Sequence, residues 1–132
     1  MNDELQQMIT RSTFQVIGND FVYTKVKELP GDGAHFMVTK DEDEITVVTK
    51  QGNIEKLAVL ERNKDTYALI SLNVSVPFYS VGFLATVSSS VASEGMNILI
   101  VSTYSKDYIM VREDNLEKTK KVLLNLGFKE KI

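Results

Sequence analysis

The sequence predicts an α+β fold, made of two copies of a split βαβ unit with mostly antiparallel sheets, the first copy degenerate. Three observations predict it. Between Tyr67 and Val111 the apolar pattern changes from strand to helix and back to strand. A second helical stretch and a last short apolar run follow, so the C-terminal half reads βαββαβ. The N-terminal half repeats that order with its helices shrunk: strand, loop, hairpin, small helix.

In the C-terminal half, Tyr67 to Val76 is rich in aliphatic and β-branched residues, reads as a strand, and is stopped by Pro77. A helix is expected to start near Ser80, an N-cap residue type, with Phe83, Leu84, Val87 and Val91 on one face. Gly95 stands where a helix-ending glycine belongs. Ile98 to Val101 is a nearly unbroken aliphatic run, which predicts a central strand. Ser105, Lys106 and Asp107 form a short turn into the strand Tyr108 to Val111. Asp114 to Leu126 is a helix with Leu116, Val122, Leu123 and Leu126 as its apolar set, ended by Gly127. Phe128 to Ile132 is a short closing strand whose charges blunt one sheet edge.

In the N-terminal half, Leu5, Met8 and Ile9 stand at helical spacing in a short leader, helical or loosely held. Phe14 to Ile17 reads as a strand, Gly18-Asn19-Asp20 as a turn, and Phe21 to Leu29 as a half-buried strand broken by Pro30-Gly31-Asp32-Gly33. Phe36 to Lys40 and Glu44 to Thr49 are two strands joined by Asp41-Glu42-Asp43, and Gly52 to Leu60 reads as a short helix. The polar run Glu61 to Asp65 is the expected boundary, giving modules 1–61, with the leader, and 62–132. Unpaired strand edges invite another chain, so either side-by-side pairing of the modules or a homodimer is expected.

Composition excludes several classes. The 132 residues carry a net charge of −3, with lysines and arginines dispersed, which argues against nucleic acid. No run approaches the ~18 apolar residues of a membrane span, and the start of the chain lacks the apolar core of a signal peptide. There is no cysteine, so disulfides and thiolate chemistry are absent, and the expected setting is cytoplasmic.

No catalytic constellation is legible. The single histidine, His35, has no nucleophile or orienting partner nearby in sequence. Gly31-Asp32-Gly33 imitates a dinucleotide fingerprint, but Phe36 occupies the third glycine position. Asp41 to Glu44 is a run of carboxylates with Thr46 where a calcium loop needs glycine, so it reads as a solvated turn. The serines Ser88-Ser89-Ser90 lie on the polar side of a helix, and no nucleophile elbow exists. No catalytic residue, metal site or cofactor is therefore expected.

A binding geometry remains. The loop Pro77 to Phe83 leads to a helix N-terminus, where unpaired N–H groups and the helix dipole favour an anion. Gly82 lets a ligand approach the backbone. The split βαβ topology brings Ser102, Thr103 and Asp107 near this loop, adding hydroxyls and a carboxylate. An anion seat beside a carboxylate suits a zwitterion such as an amino acid.

Val81-Gly82-Phe83-Leu84-Ala85, Glu94-Gly95-Met96-Asn97-Ile98 and Ser102-Thr103-Tyr104-x-x-Asp107-Tyr108-Ile109-x-Val111, followed by Val111-Arg112-Glu113-x-x-Leu116, resemble the ACT-domain family. The likeness is strongest to its small bacterial members with two tandem modules, and extends to the ACT modules of animal cytosolic arginine sensors. Phe36-x-Val38-Thr39-Lys40 with Glu44-Ile45 is similar to the first-module hairpin of the same group. The resemblance runs from about Phe21 to Phe128.

The resemblance implies ferredoxin-like modules in tandem and non-covalent sensing of a small molecule, often an amino acid, at a module interface. Carried over, the ligand-binding positions are Val81, Gly82 and Phe83 on the loop and Ser102, Thr103, Tyr104 and Asp107 on the facing strand end. The pocket is expected to face the other module. Lys106 departs from the small threonine the family often has there, and is expected to pair with Asp107. Two functions follow: a non-catalytic regulatory amino-acid sensor that signals to a separate regulated protein, or a ligand-free interaction module joined through sheet edges.

Overall fold

The computed structural model describes residues 3–31, 33–74 and 81–132. Chain contacts divide it into two units, Met1–Asn19 with Ala68–Ile132, and Asp20–Tyr67. The second is inserted in the sequence of the first. The expected boundary at Glu61 and Arg62 falls inside a strand, Val59–Arg62.

The first unit begins with α1 (Asp3–Thr10), which buries Leu5, Met8 and Ile9. It continues through the start of β1 (Thr13–Val26) and resumes at β5 (Tyr67–Asn73). Then come α2 (Phe83–Ser93), β6 (Leu99–Ser102), β7 (Asp107–Arg112), α3 (Leu116–Leu126) and β8 (Lys129–Glu130). From β5 onward the order is βαββαβ, as the apolar pattern predicts. Strands run in the order β1, β5, β7, β6; β6 and β7 are antiparallel, and β8 lies parallel to β1, with Thr13 opposite Lys129.

Helix and sheet faces meet in two apolar clusters. One gathers Ile9, Phe14, Ile70, Leu72, Phe83, Val87, Ile109, Leu123 and Phe128. The other holds Ala68, Val91, Met96, Val111 and Val122. The helical spacing of Phe83, Val87 and Val91 is the reason α2 has a buried stripe. Gly95 and Gly127 end α2 and α3 in the left-handed region, at φ 76° and 118°. The Met96 and Phe128 N–H groups reach back to the carbonyls of Val91 and Leu123. At Gly127 that conformation admits only glycine readily, and an added Cβ would lie 3.1 Å from Gln6 Nε2.

The second unit is antiparallel: β2 (Met37–Lys40), β3 (Ile45–Lys50), the later part of β1, and β4 (Val59–Arg62). The β2–β3 hairpin turns at Asp41. Its Oδ1 accepts the N–H groups of Asp43 at 2.8 Å and Glu44 at 2.9 Å. These two bonds, Asp43's first, hold the Asp41 carboxyl below its ordinary value. A depressed folded pKa gives stability that is present above the unfolded value and lost as pH falls through the folded one. Asp41→Ala is therefore expected to lower the urea midpoint slightly at pH 7, by an amount that shrinks below pH 4; an unchanged difference at pH 3 would remove the charge from the account.

Five expectations are corrected. Gly18-Asn19-Asp20 is not a turn: β1 runs straight through it. Gly18 keeps an ordinary φ; Thr13 and Phe14 pair with β8 and Phe21 to Val26 with β3, so strand pairing flanks the three residues on both sides. The helix expected over 52–60 is a 3-10 turn, Gln51–Lys56, after which Val59 pairs with Val26 in β4. The run around Ile98 to Val101 is not central: β6 ends the strand order, and Ile100 is 39% exposed. The central places go to β5, buried from Tyr67 through Leu72, and β7, buried at Ile109 to Val111. At the start of α2 the N-cap is Gly82, with φ 87°; Pro77 and Ser80 lie outside the described residues. The closing strand shortens to Lys129–Glu130, the two residues that pair with Thr13 and Phe14 of β1.

Candidate functional site

The site is built by three chain segments of the first unit. β5 delivers Leu72, with Val74 just beyond it on the same face. Phe83 and Leu84 open α2. The β6–β7 hairpin supplies residues 102–107, with Ser102 opposite Asp107 in the register. Together they line a cavity of about 250 Å³, apolar on the side of Leu72, Val74, Phe83 and Leu84 and polar along residues 102–107.

Leu72 and Phe83 anchor the apolar wall in the core, while Val74 and Leu84 are half-buried. Leu72 is 1% and Phe83 3% exposed, and the Phe83 ring packs 5.8 Å from that of Phe128. The polar wall is a hairpin turn closed by Thr103 N–H donating to the Lys106 carbonyl at 2.8 Å. The Thr103 hydroxyl braces the same turn, donating to the Lys106 carbonyl at 3.2 Å and accepting the Lys106 N–H at 3.3 Å. The Ser102 hydroxyl donates to Asp107 Oδ1 at 2.6 Å. Such a short bond to a carboxylate is charge-assisted and fixes the carboxylate's direction.

Of the positions expected from sequence, Phe83, Ser102, Thr103, Tyr104 and Asp107 line this cavity. Val81 and Gly82 do not. Val81 is 90% exposed, and a Cβ at Gly82 would meet Leu5 of α1 at 3.7 Å. The ion pair expected between Lys106 and Asp107 is not formed: Asp107 bonds to Ser102, and Lys106 has no ion pair among the described residues. Sequence reasoning missed Leu72, Val74, Leu84, Ser105 and Lys106 as lining residues. The signals were the two-residue alternation at the end of β5 and the turn position of 105 and 106 between two residues already singled out.

His35 belongs to the second unit and is a brace. Its Nδ1 is 2.9 Å from Thr49 Oγ1, an oxygen that accepts a hydrogen bond from Asn53 Nδ2 at 2.9 Å. In the same unit the Tyr23 and Tyr67 rings stand edge to face, centroids 6.0 Å apart. Burial, and then the neighbouring Tyr67, push the Tyr23 phenol up. Among the described residues no group of three His, Cys, Asp or Glu side chains is placed to hold a metal ion.

Residues 63–125 match the family model of the ACT domain. Among solved structures the chain is similar to a protein of unknown function from Vibrio cholerae, at 17% identity and a TM-score of 0.76, over 94% of this chain and 96% of that one. It is similar to an Agobacterium tumefaciens protein at 22% identity and a TM-score of 0.73, over 92% of each chain. The regulatory subunit of aspartate kinase from Thermus thermophilus matches at 12% identity and a TM-score of 0.61, over 87% of this chain and 95% of that one. At these identities the likenesses show the fold. No curated protein matches.

Proposed function

We propose, from the match of residues 63–125 to the ACT-domain family model, that this chain is a non-catalytic regulatory protein that senses an amino acid and passes the signal to a separate protein. ACT domains are regulatory modules, and a structural neighbour is a regulatory subunit of aspartate kinase. The observation that carries the reading is the cavity itself. It joins an apolar wall to a carboxylate, Asp107, already oriented by Ser102. On this reading Asp20–Tyr67 is a second, degenerate ACT-like module inserted in the sequence of the first, and the protein is cytoplasmic and homodimeric. No helix among the described residues is long and apolar enough to cross a membrane.

A thermal-shift screen of the twenty amino acids tests the proposal. A ligand that binds only the native state at a hundred times its Kd adds about 2.7 kcal/mol, a rise of roughly 5–10 °C in Tm. Asp107→Asn keeps the shape and removes the charge, and is expected to weaken that ligand by about 1–3 kcal/mol while circular dichroism shows an intact fold. If no amino acid raises Tm, the second reading takes over: a ligand-free module that joins partners through a sheet edge. The position of β6 at the end of the strand order, with Ile100 exposed, favours it as that edge.

A further inference from the structure

Resting on the regulatory reading just given, we infer that the cavity takes an α-amino acid with an apolar side chain, its carboxylate held by the Lys106 ammonium and its ammonium by the Asp107 carboxylate. Lys106 thus becomes a binding residue. The Ser102 hydroxyl proton is given to Asp107, and the Thr103 hydroxyl is engaged both ways with the Lys106 backbone. The charged groups on the polar wall, beside the Tyr104 and Ser105 hydroxyls, are one cation and one anion on adjacent residues that line the same cavity. Among the described residues Lys106 forms no ion pair.

One cation and one anion match the two α-groups of an amino acid and leave no counter-charge for a third. A lysine or arginine ligand brings a second cation beside Lys106. An aspartate or glutamate ligand brings a second anion beside Asp107. Each like-charge approach is a selection against that class. The opposite wall, Leu72, Val74, Phe83 and Leu84, offers only hydrocarbon and ring surface, and a polar side chain set there loses its water without a partner. At about 250 Å³ the cavity is smaller than the roughly 300–1,000 Å³ of sites for drug-sized molecules, which suits a single amino acid.

Calorimetry on the full chain decides it, with L-valine, L-leucine and L-methionine as apolar probes, L-lysine and L-aspartate as charged ones, and the amide of the best apolar probe, which lacks the carboxylate. An apolar probe is expected to bind at least tenfold more tightly than lysine or aspartate. Lys106→Gln is expected to weaken it about tenfold, Lys106→Arg to keep most of the affinity, and the amide to bind the parent and Lys106→Gln alike, since the group Lys106 reads is gone. Lysine or aspartate binding as tightly as the apolar probes, or Lys106→Gln binding them as the parent does, overturns this inference and leaves the regulatory reading standing, because an amino acid still binds. If none of the twenty amino acids binds the parent, the regulatory reading falls and takes the inference with it.

Discussion

Replacing Phe128 with alanine is expected to destabilise the protein by about 3–5 kcal/mol, the range for deleting a buried aromatic ring. Phe128 is 2% exposed, packs on Phe83 with centroids 5.8 Å apart, and shares its cluster with Phe14, Ile70 and Leu123. Its position leaves little room for collapse. The backbone just before it is held by Gly127 at φ 118°, and that just after it by Lys129 N–H donating to the Ser12 carbonyl at 3.2 Å. The lost ring therefore leaves a void that neighbours fill only in part. Small domains hold about 5–15 kcal/mol in total, so the variant would sit near the edge of unfolding at moderate urea. Urea melts of parent and variant measure it, with an unchanged slope confirming that the same two states are compared. A loss below about 1 kcal/mol would mean that Phe128 is not the core residue described here. The change also removes the backing of the Phe83 wall of the cavity.

Ile9→Ala is expected to cost about 2–5 kcal/mol, which separates two views of the N-terminal segment. A loosely held leader would lose nothing. In the structure Ile9 is fully buried, with Leu5 and Met8 at 8% and 6% exposure beside it. α1 is fastened to the end of α3: Gln6 Nε2 donates to the Leu126 carbonyl at 3.1 Å, and Ile9 Cγ2 lies 3.6 Å from where a Cβ on Gly127 would stand. Its own end is closed by the Ser12 hydroxyl donating to the Met8 carbonyl at 2.7 Å. Gln7, on the exposed side of the same helix, is the control; Gln7→Ala is expected to stay within about 0.5 kcal/mol. Equal stabilities for the two variants would refute the docked helix.

Much of this molecule is written locally in its sequence. The spacing Phe83, Val87, Val91 is enough for a helix with one buried face, since it repeats every turn whatever lies opposite. Gly95 and Gly127 announce helix ends because the left-handed region excludes most other residues. Asp41 announces its turn because a short carboxylate reaches the next N–H groups without outside help. The polar wall of the candidate site is local for the same reason: Ser102 through Asp107 is one hairpin, and its hydrogen bonds close on themselves. Other features depended on partners distant in the chain. Gly18-Asn19-Asp20 carries turn residues, yet β1 passes through as strand because segments distant in the chain pair with it, β8 at Thr13 and Phe14 and β3 from Phe21 to Val26. Ile98 to Val101 has the composition of a central strand, yet β5 and β7 take the middle. The apolar half of the site joins Leu72 and Val74 to Phe83 and Leu84 and then to a hairpin some twenty residues further on. Turn and cap signals act over three or four residues and are present in the unfolded chain. Which strand lies at an edge, and which side chains meet around a cavity, is decided only when distant segments compete for the same buried surface.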